Sequence, residues 1–345
     1  TDGTVDSTSG TVVIGDAQSP VDGGLVWISV SGIEGALPWR IPQLGLVRWV
    51  ATEPGLQARV VAEVLQGFLR LGRTEGAEAR INITNGGQLN GFFVDAGRQG
   101  ASAYVNVDGV GSQLLSDNSY GFFGYGDDGE AGFVRFGRAE GGYGRLDVTG
   151  GGNVTVRNAP GTDNDFPIFE LGREVGSLGV AVIDGSGTDA YGASIASSLD
   201  ITLTGPSNDA FRPGNPGIYY GPQIRLGRDG GVGNMTVRNG GEVNLTGEAA
   251  EVRVGFSAND AGYVSGRSSL TIESGGKVNL SSIGYEYRAS VFVARNNDTL
   301  GRLTIDGAGS ELNITTDNVD NFDAAGTTIR FGSGLFVGNR GEGDL

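Results

Sequence analysis

Three aspartate-rich loops carry the residue types in this sequence that could bind a metal ion. They are residues 126–130, 162–165 and 317–323. Ca²⁺ prefers carboxylate and carbonyl oxygens and takes about six to eight of them. We predict Ca²⁺ as a cofactor at the third loop, with Asp317, Asp320 and Asp323 as ligands. None of the loops has the EF-hand spacing, and the alternative for all three is a solvated acidic loop.

Arginines form the second candidate group, because several follow a glycine at the end of an apolar run. They are Arg73, Arg98, Arg138, Arg173 and Arg228. One interpretation is a basic stripe that binds acidic glycans. The other is that each arginine bonds loop carbonyls or an interleaved carboxylate, since like charges at adjacent strand positions repel. We favour the second interpretation because the formal net charge of the chain is −16.

Nucleophilic catalysis by the common residue sets is excluded, because the chain has no cysteine and no histidine. Their absence removes Ser-His-Asp and Cys-His pairs and the conventional zinc, copper and haem sites. A carboxylate pair of the glycosidase kind, about 5–9.5 Å apart, stays open as an alternative. We predict that the chain is not an enzyme, with a polysaccharide lyase or glycosidase as the competing hypothesis.

Aromatic residues cluster in two inserts and could contact a glycan or a protein. The inserts span residues 116–129 and 207–220. Exposed aromatic patches mark interaction sites. The alternative is that these side chains fold back over the flank of the protein. Surface glycans are therefore a predicted partner class.

A repeated phrase organises most of the chain and must position these groups. An apolar strand ends in glycine, a short loop follows, and two alternating strands come next, separated by a Gly-Gly or Asp-Gly-x-Gly-Ser turn. The glycines that end the strands are Gly72, Gly97, Gly137, Gly172, Gly227, Gly255 and Gly338, with Ala294 in place of one. Their spacing varies from 25 to 55 residues. Self-similarity of this kind indicates stacked coils, with the longer spacings carrying loop insertions.

Alternate residues of the short strands are apolar, as in 146–156 and 270–280. That is the pattern of a strand with one dry face. We predict an all-β fold, a right-handed parallel β-helix with loop insertions, over residues 66–345. An antiparallel sandwich or propeller is the alternative, because a Gly-Gly pair can also close a hairpin. Spacings from 25 to 55 residues fit a solenoid better than a propeller blade of constant length.

The N-terminal stretch, residues 1–65, is the least repetitive. We predict irregular coils there, with one short helix over 55–65, where helix formers place apolar residues at helical spacing. At the other end, residues 336–345 begin a new phrase without its second half. We therefore expect the repeats to be interrupted mid-repeat. Either more coils follow, or the edge is completed head-to-tail by another copy, for example by residues 10–15.

Charge and hydropathy limit the partners. A net charge of −16 disfavours nucleic acid and anionic membranes. No apolar run approaches the roughly 18 residues of a transmembrane helix. We predict no nucleic-acid partner and no membrane insertion of this segment, and we predict self-association.

The Asp-Gly-x-Gly-Ser units at 107–114 and 305–312, together with the phrase at 337–343, indicate a family. They resemble the glycine-rich repeats of bacterial type V secreted (autotransporter) passengers. The same repeats occur in exoproteins that carry a PEP-type C-terminal signal. This resemblance covers most of residues 66–345. It implies a right-handed parallel β-helix at the bacterial cell surface or outside the cell, with a structural or adhesive role.

Overall fold

The computed structural model describes these parts of the chain: 3–4, 25–31, 46–51, 59–65, 68–72, 75–84, 86–91, 93–118, 133–158, 167–188, 192–203, 221–257, 267–283, 289–316, 321–322, 328–329, 333–338 and 341–345. Within them every regular element is a β-strand. Nearly all of these strands belong to three long sheets, here called sheets 1, 2 and 3.

Sheet 1 has ten strands, all paired in parallel. In order across the sheet they are β1 (Gly3–Thr4), β2 (Leu25–Ser31), β6 (Glu78–Thr84), β9 (Ser102–Asp108), β12 (Tyr143–Thr149), β15 (Leu178–Asp184), β20 (Val232–Arg238), β23 (Ser268–Glu273), β26 (Leu300–Asp306) and β31 (Glu342–Asp344).

Sheet 2 has seven parallel strands. They are β7 (Gln88–Gly91), β10 (Gln113–Asn118), β13 (Asn153–Asn158), β18 (Ser198–Leu203), β21 (Glu242–Gly247), β24 (Lys277–Ser282) and β27 (Glu311–Thr316).

Sheet 3 has ten strands, of which β3, β4 and β5 pair antiparallel and the rest in parallel. They are β3 (Leu46–Ala51), β4 (Arg59–Leu65), β5 (Phe68–Leu71), β8 (Phe93–Arg98), β11 (Phe133–Ala139), β14 (Ile168–Leu171), β19 (Gln223–Arg228), β22 (Glu251–Phe256), β25 (Ser290–Val293) and β30 (Gly334–Val337). Two small antiparallel pairs complete the set, β16 (Gly187–Thr188) with β17 (Ser194–Ile195), and β28 (Asn321–Phe322) with β29 (Thr328–Ile329).

From β6 onward the chain visits sheets 1, 2 and 3 in turn and then repeats the cycle. The strands on either side of the Gly86-Gly87 turn, β6 and β7, lie in different sheets, and each pairs with its counterpart in the next repeat. The same holds around Gly240-Gly241. A hairpin across these turns is therefore wrong for the described strands. The all-β fold with long parallel sheets is confirmed, and the arrangement fits a parallel solenoid.

The predicted helix over 55–65 is wrong where the structure describes it. Residues 59–65 form strand β4, which pairs antiparallel with β3 and with β5. The sequence of β4 contains Val60, Val61 and Val64. β-Branched residues favour an extended backbone, and pairing on both sides satisfies the backbone amides and carbonyls. Tertiary pairing thus overrides a helical spacing of apolar residues.

One continuous apolar core lies between the sheets, and it is built from in-register rows. In sheet 1, for example, Val105, Leu146 and Ala181 stand side by side on neighbouring strands and are all fully buried. Parallel strands lie about 4.8 Å apart, so like side chains stack directly. The alternation that the sequence shows in 146–156 and 270–280 matches buried inward positions.

Loop insertions leave mostly from one corner. The connections from sheet 2 to sheet 3 vary most in length, from the single residue 92 to the segments 119–132, 159–167 and 204–222. Connections from sheet 1 to sheet 2 are short in most repeats, with 185–197 as the long exception. The longer spacings thus carry loop insertions, as predicted, and one further long connection, 257–267, joins sheet 3 to sheet 1.

The Asp-Gly-x-Gly-Ser phrase builds the corner between sheets 1 and 2. The Ser112 hydroxyl donates to the Asp108 carbonyl at 2.6 Å and accepts the amide of Gly86, one coil earlier, at 3.1 Å. Ser310 repeats both bonds, to the Asp306 carbonyl at 2.6 Å and from the Gly275 amide at 3.1 Å. The serine therefore closes its own turn and staples it to the Gly-Gly turn of the preceding coil.

A ladder of side-chain amides crosses the outer face of sheet 2 and converges on Asp200. From one side, Asn279 donates to Asn244 at 2.9 Å, and Asn244 donates to the Asp200 carboxylate at 2.8 Å. From the other side, Asn153 donates to the same carboxylate at 2.6 Å, and Ser198, on the same strand as Asp200, donates its hydroxyl at 3.0 Å. Asn313 and Gln113 extend the ladder at its two ends. Asp200 is thus the common acceptor of the ladder.

Replacing Asp200 by alanine should lower the free energy of unfolding by about 2 kcal/mol, because hydrogen bonds to a charged group contribute roughly 1.5–3 kcal/mol. Urea denaturation measures the change. Thr202→Ala, on the outer face of the same strand, is the matched control and should change stability by less than about 0.5 kcal/mol. An Asp200→Ala protein as stable as the Thr202→Ala protein would contradict the role given to the ladder.

Candidate functional site

The outer face of sheet 3 holds the largest cluster of charged side chains in the described part of the chain. Inward positions of its strands, such as Val134 and Phe169, belong to the core. The positions between them point outward, yet Arg135 and Glu170 are each only 1% exposed. Outward residues of sheets 1 and 2 are, by contrast, mostly half-buried or exposed. This face of sheet 3 is therefore both charged and dry.

The charged residues stand in register on adjacent strands. Arg135 lies beside Asp95 on one side and beside Glu170 on the other, and Glu170 lies beside Arg225. Arg253 continues the row. We call Asp95, Arg135, Glu170, Arg225 and Arg253 the ionic row. Opposite charges alternate over its first four members, which is the order that makes neighbours attract at strand spacing.

The arginines of the Gly-Arg phrase form a second row beside the first. Arg138 approaches Asp95, with 3.1 Å between its Nη1 and Oδ2. Arg228 contacts Asp229, with 3.0 Å between Nε and Oδ2, and lies 3.7 Å from a Glu170 oxygen. These corner arginines lie against carboxylates, as the stapling interpretation predicts. Arg73, the first of the group, lies outside the described residues.

Glu170 is the electrostatic centre of the site. Its Oε2 lies 2.8 Å from Nε of Arg135, and its Oε1 lies 3.7 Å from Nη1 of both Arg225 and Arg228. Burial by itself raises the pKa of Glu170, but Arg135, Arg228, Arg225 and Arg138 together hold that pKa below its usual value. Glu170 is therefore an ionised carboxylate at neutral pH, although it is fully buried.

Burial acts on the arginines in the opposite sense. Loss of solvent lowers the pKa of Arg135 to about 10 and that of Arg225 to about 9, although Glu170 raises both. The pKa of Arg173 is also lowered to about 10, with burial as the first cause and the charge of Arg228 as the second. All three stay charged at pH 7. The few carboxylates among them stabilise these charged guanidiniums inside the protein.

Phenylalanine rings cover part of the ionic row. The Arg135 guanidinium carbon lies 3.9 Å from the centre of the Phe133 ring, and that ring stacks on Phe93 at 4.5 Å. Farther along, the guanidinium carbon of Arg253 lies 5.3 Å from the Phe256 ring. Cations over aromatic faces gain about 0.5–2 kcal/mol, more when desolvated. The aromatic residues therefore stabilise charges that the sequence places in a dry layer.

The geometry of Asp95 and Glu170 bears on catalysis. They lie on strands separated by one intervening strand, so their backbones are about 9.6 Å apart. Arg135 occupies the position between them and contacts Glu170. A glycosidase places its two carboxyls on either side of an accessible scissile bond. Here a guanidinium fills that space and both carboxylates are buried, so this pair serves as counter-charges.

The predicted calcium ligands Asp317, Asp320 and Asp323 lie outside the described residues. So do the other two acidic loops and most of both aromatic inserts, including Tyr120, Tyr219 and Tyr220. Among the described residues, no group of three or more His, Cys, Asp and Glu side chains is placed to hold a metal ion. The calcium site stays a prediction.

Sequence reasoning missed Asp95, Arg135 and Glu170, because it assigned the outward positions of all strands to solvent. A signal was available in the aligned phrases. The residue two positions before each strand-ending glycine is Asp95, Arg135, Glu170 and Arg225 in successive repeats. Alternation of sign between repeats, at one repeat position, indicates a row of ion pairs along a parallel sheet.

Comparison with known proteins adds no relative: no protein-family model matches the chain, and neither the curated proteins nor the solved structures include a significant match. In the described part of the chain, no helix is long and apolar enough to cross a membrane.

Proposed function

We propose that this chain is a non-catalytic structural or adhesive repeat protein of the bacterial cell surface or extracellular space, folded as a right-handed parallel β-helix. The observation that carries the proposal is how the charged and polar side chains are used. The ionic row, the serine staples and the amide ladder all join one coil to the next. The charged and polar side chains thus hold a long stack of coils together, which is the role of such residues in a scaffold.

Self-association is part of the proposal, and the last described coil supports it. Ile305 and Val337 are 45% and 39% exposed, whereas Ile272 and Val293, their in-register neighbours one coil earlier, are fully buried. Another coil stacked on this end would cover these residues. We propose that a second copy supplies such a coil, and a head-to-tail contact of copies gives an open filament.

Ca²⁺ bound by Asp317, Asp320 and Asp323 belongs to the same proposal, since divalent ions would relieve repulsion between strongly acidic copies.

Incubation with a panel of pectins, alginates and other acidic glycans tests the scaffold function. The protein should release no new chain ends from any of them, because its buried carboxylates serve as counter-charges. Heat-denatured protein provides the background rate. Saturable turnover that is lost when one or two carboxylates are replaced would overturn the proposal in favour of a polysaccharide lyase or glycosidase.

A further inference from the structure

Two tyrosines form an aromatic cluster on the outer face of sheet 1. Tyr104 on β9 and Tyr143 on β12 are half-buried, and their ring centres lie 5.6 Å apart. The Arg80 guanidinium carbon, on β6, lies 4.4 Å from the centre of the Tyr104 ring. Three adjacent strands thus contribute to one continuous surface. We call Glu78, Arg80, Tyr104, Tyr143, Arg145 and Asp147 the tyrosine face.

The charged members of this face are held by ion pairs on their own strands. Nε of Arg80 lies 2.6 Å from Glu78, and Arg145 donates two hydrogen bonds to Asp147, at 2.7 and 2.8 Å. The bidentate bond to Asp147 raises the pKa of Arg145. Side chains fixed in this way lose little conformational freedom when a ligand binds. The face is therefore pre-organised.

An apolar strip continues the face onto the next strand. Leu178 lies in register with Tyr143, and Val180 lies in register with Arg145. Both are half-buried, as is Val182. On the next strand Val232 lies in register with Leu178, and the outward positions otherwise return to small polar residues such as Asn234 and Thr271. The aromatic and apolar residues thus run from β9 to the start of β20.

Charge decides which class of polymer this surface suits. Arg80 pairs with Glu78 and Arg145 pairs with Asp147, so the face has no net charge, while the chain as a whole carries −16. The field of the chain repels polyanions. A self-compensated face offers an acidic glycan no excess of cations to offset that repulsion. An uncharged polymer does not experience this electrostatic repulsion.

The shape and hydrogen-bonding capacity of the tyrosine face limit the class of ligand further. Sites for small molecules are concave, whereas this face lies on the outside of a sheet and suits an extended chain. Aromatic rings supply apolar area together with a polar hydroxyl. Guanidinium N–H groups and carboxylate oxygens around them can bond hydroxyl groups. Such a surface matches a sugar polymer, whose rings have apolar faces and hydroxyl edges.

We propose that the tyrosine face binds an extended, uncharged polysaccharide. This inference rests on the adhesive function proposed above and names the class of its ligand. Tyr104 and Tyr143, whose ring planes are tilted by 56°, supply aromatic surface and hydroxyl groups, and the Arg145–Asp147 pair supplies hydrogen bonds to hydroxyl groups.

Affinity electrophoresis in gels that contain soluble neutral polymers tests the inference, with xylan, mannan and β-glucan as probes and alginate as the acidic comparison. Wild-type protein should be retarded by at least one neutral polymer and not by alginate. Tyr104→Ala combined with Tyr143→Ala should weaken retardation about fivefold or more, because two aromatic contacts of about 0.5–1.5 kcal/mol each are lost. The double Tyr→Phe variant should retain most of the binding.

Leu115→Ala, an outward apolar residue on sheet 2, is the matched control and should bind like wild type. Circular dichroism and melting curves establish that each variant is folded. Absence of wild-type retardation by every neutral probe, retardation by alginate alone, or unchanged binding by the folded double alanine variant would overturn the inference. None of these outcomes affects the scaffold proposal, which fails only if the protein degrades a glycan.

Discussion

Replacing Glu170 by glutamine should destabilise the protein by about 3–5 kcal/mol, which is the cost of removing one partner from a buried ion pair. The carboxylate lies within 3.7 Å of Arg135, Arg225 and Arg228, all of them largely buried. Without it, several guanidiniums remain charged in a dry layer with too few counter-charges. Urea denaturation measures the change without the screening that guanidinium salts introduce.

Two further variants identify the cause of that loss. Glu140→Gln changes an exposed glutamate in the turn after β11 and should alter stability by less than about 0.5 kcal/mol. Replacing Glu170 by leucine together with Arg135 and Arg225 by methionine should recover most of the stability, since apolar groups of similar volume can substitute for a buried ionic cluster. A Glu170→Gln protein as stable as wild type would contradict the central role of this carboxylate.

The pH dependence of the free energy of unfolding should also show that the ionised Glu170 carboxylate stabilises the protein. The arginines around Glu170 hold its folded pKa below the ordinary value of 4.5. Its stabilising effect is therefore complete above that value and is lost as the pH falls through the lower folded pKa. The difference in stability between wild type and Glu170→Gln should be constant from about pH 6 to pH 8 and should shrink in acid.

The parallel architecture could be predicted because it is encoded repeatedly. Each repeat presents the same alternation and the same turn residues, so an error in one repeat is corrected by the others. The glycines aligned in the sequence, from Gly97 to Gly338, do occupy equivalent positions with positive φ at or just after the ends of sheet 3 strands. Ala294, aligned with them from the sequence, has the same conformation, with φ of 57°.

The errors arose where the outcome depends on neighbours outside the repeat. Residues 59–65 satisfy a helical spacing of apolar groups, and their partner strands decide otherwise. Glu170 and Arg135 occupy outward positions that a single strand assigns to solvent. Whether such a position is dry depends on what packs over the sheet, which alternation within the strand does not encode. Comparison between repeats, rather than within one, reveals the compensating charges.

The strand-ending glycines have a structural requirement that goes beyond the turn. Gly172 has φ of +64°, and a Cβ atom added there would lie 1.9 Å from the carbonyl oxygen of Val232 in the next coil. At Gly97 the corresponding contact, with the Tyr143 carbonyl oxygen, is also 1.9 Å. The corner backbone of one coil thus packs directly on the sheet 1 strand of the following coil. A side chain of any size must push the two coils apart.

Replacing Gly172 by alanine should therefore cost more than about 3 kcal/mol, from left-handed backbone strain of about 1–2 kcal/mol plus the displacement of a neighbouring strand. Gly240→Ala separates the two causes, because that glycine has φ of +79° and nothing within 4 Å of an added Cβ; it should cost only the strain. Ala294→Gly should be neutral or stabilising, since the natural alanine already bears the strain at an equivalent corner. Urea denaturation, with hydrogen exchange of the β14, β15 and β20 amides, measures the local loss. If Gly172→Ala and Gly240→Ala proved equally costly, coil-to-coil contact would not be what requires glycine at these corners.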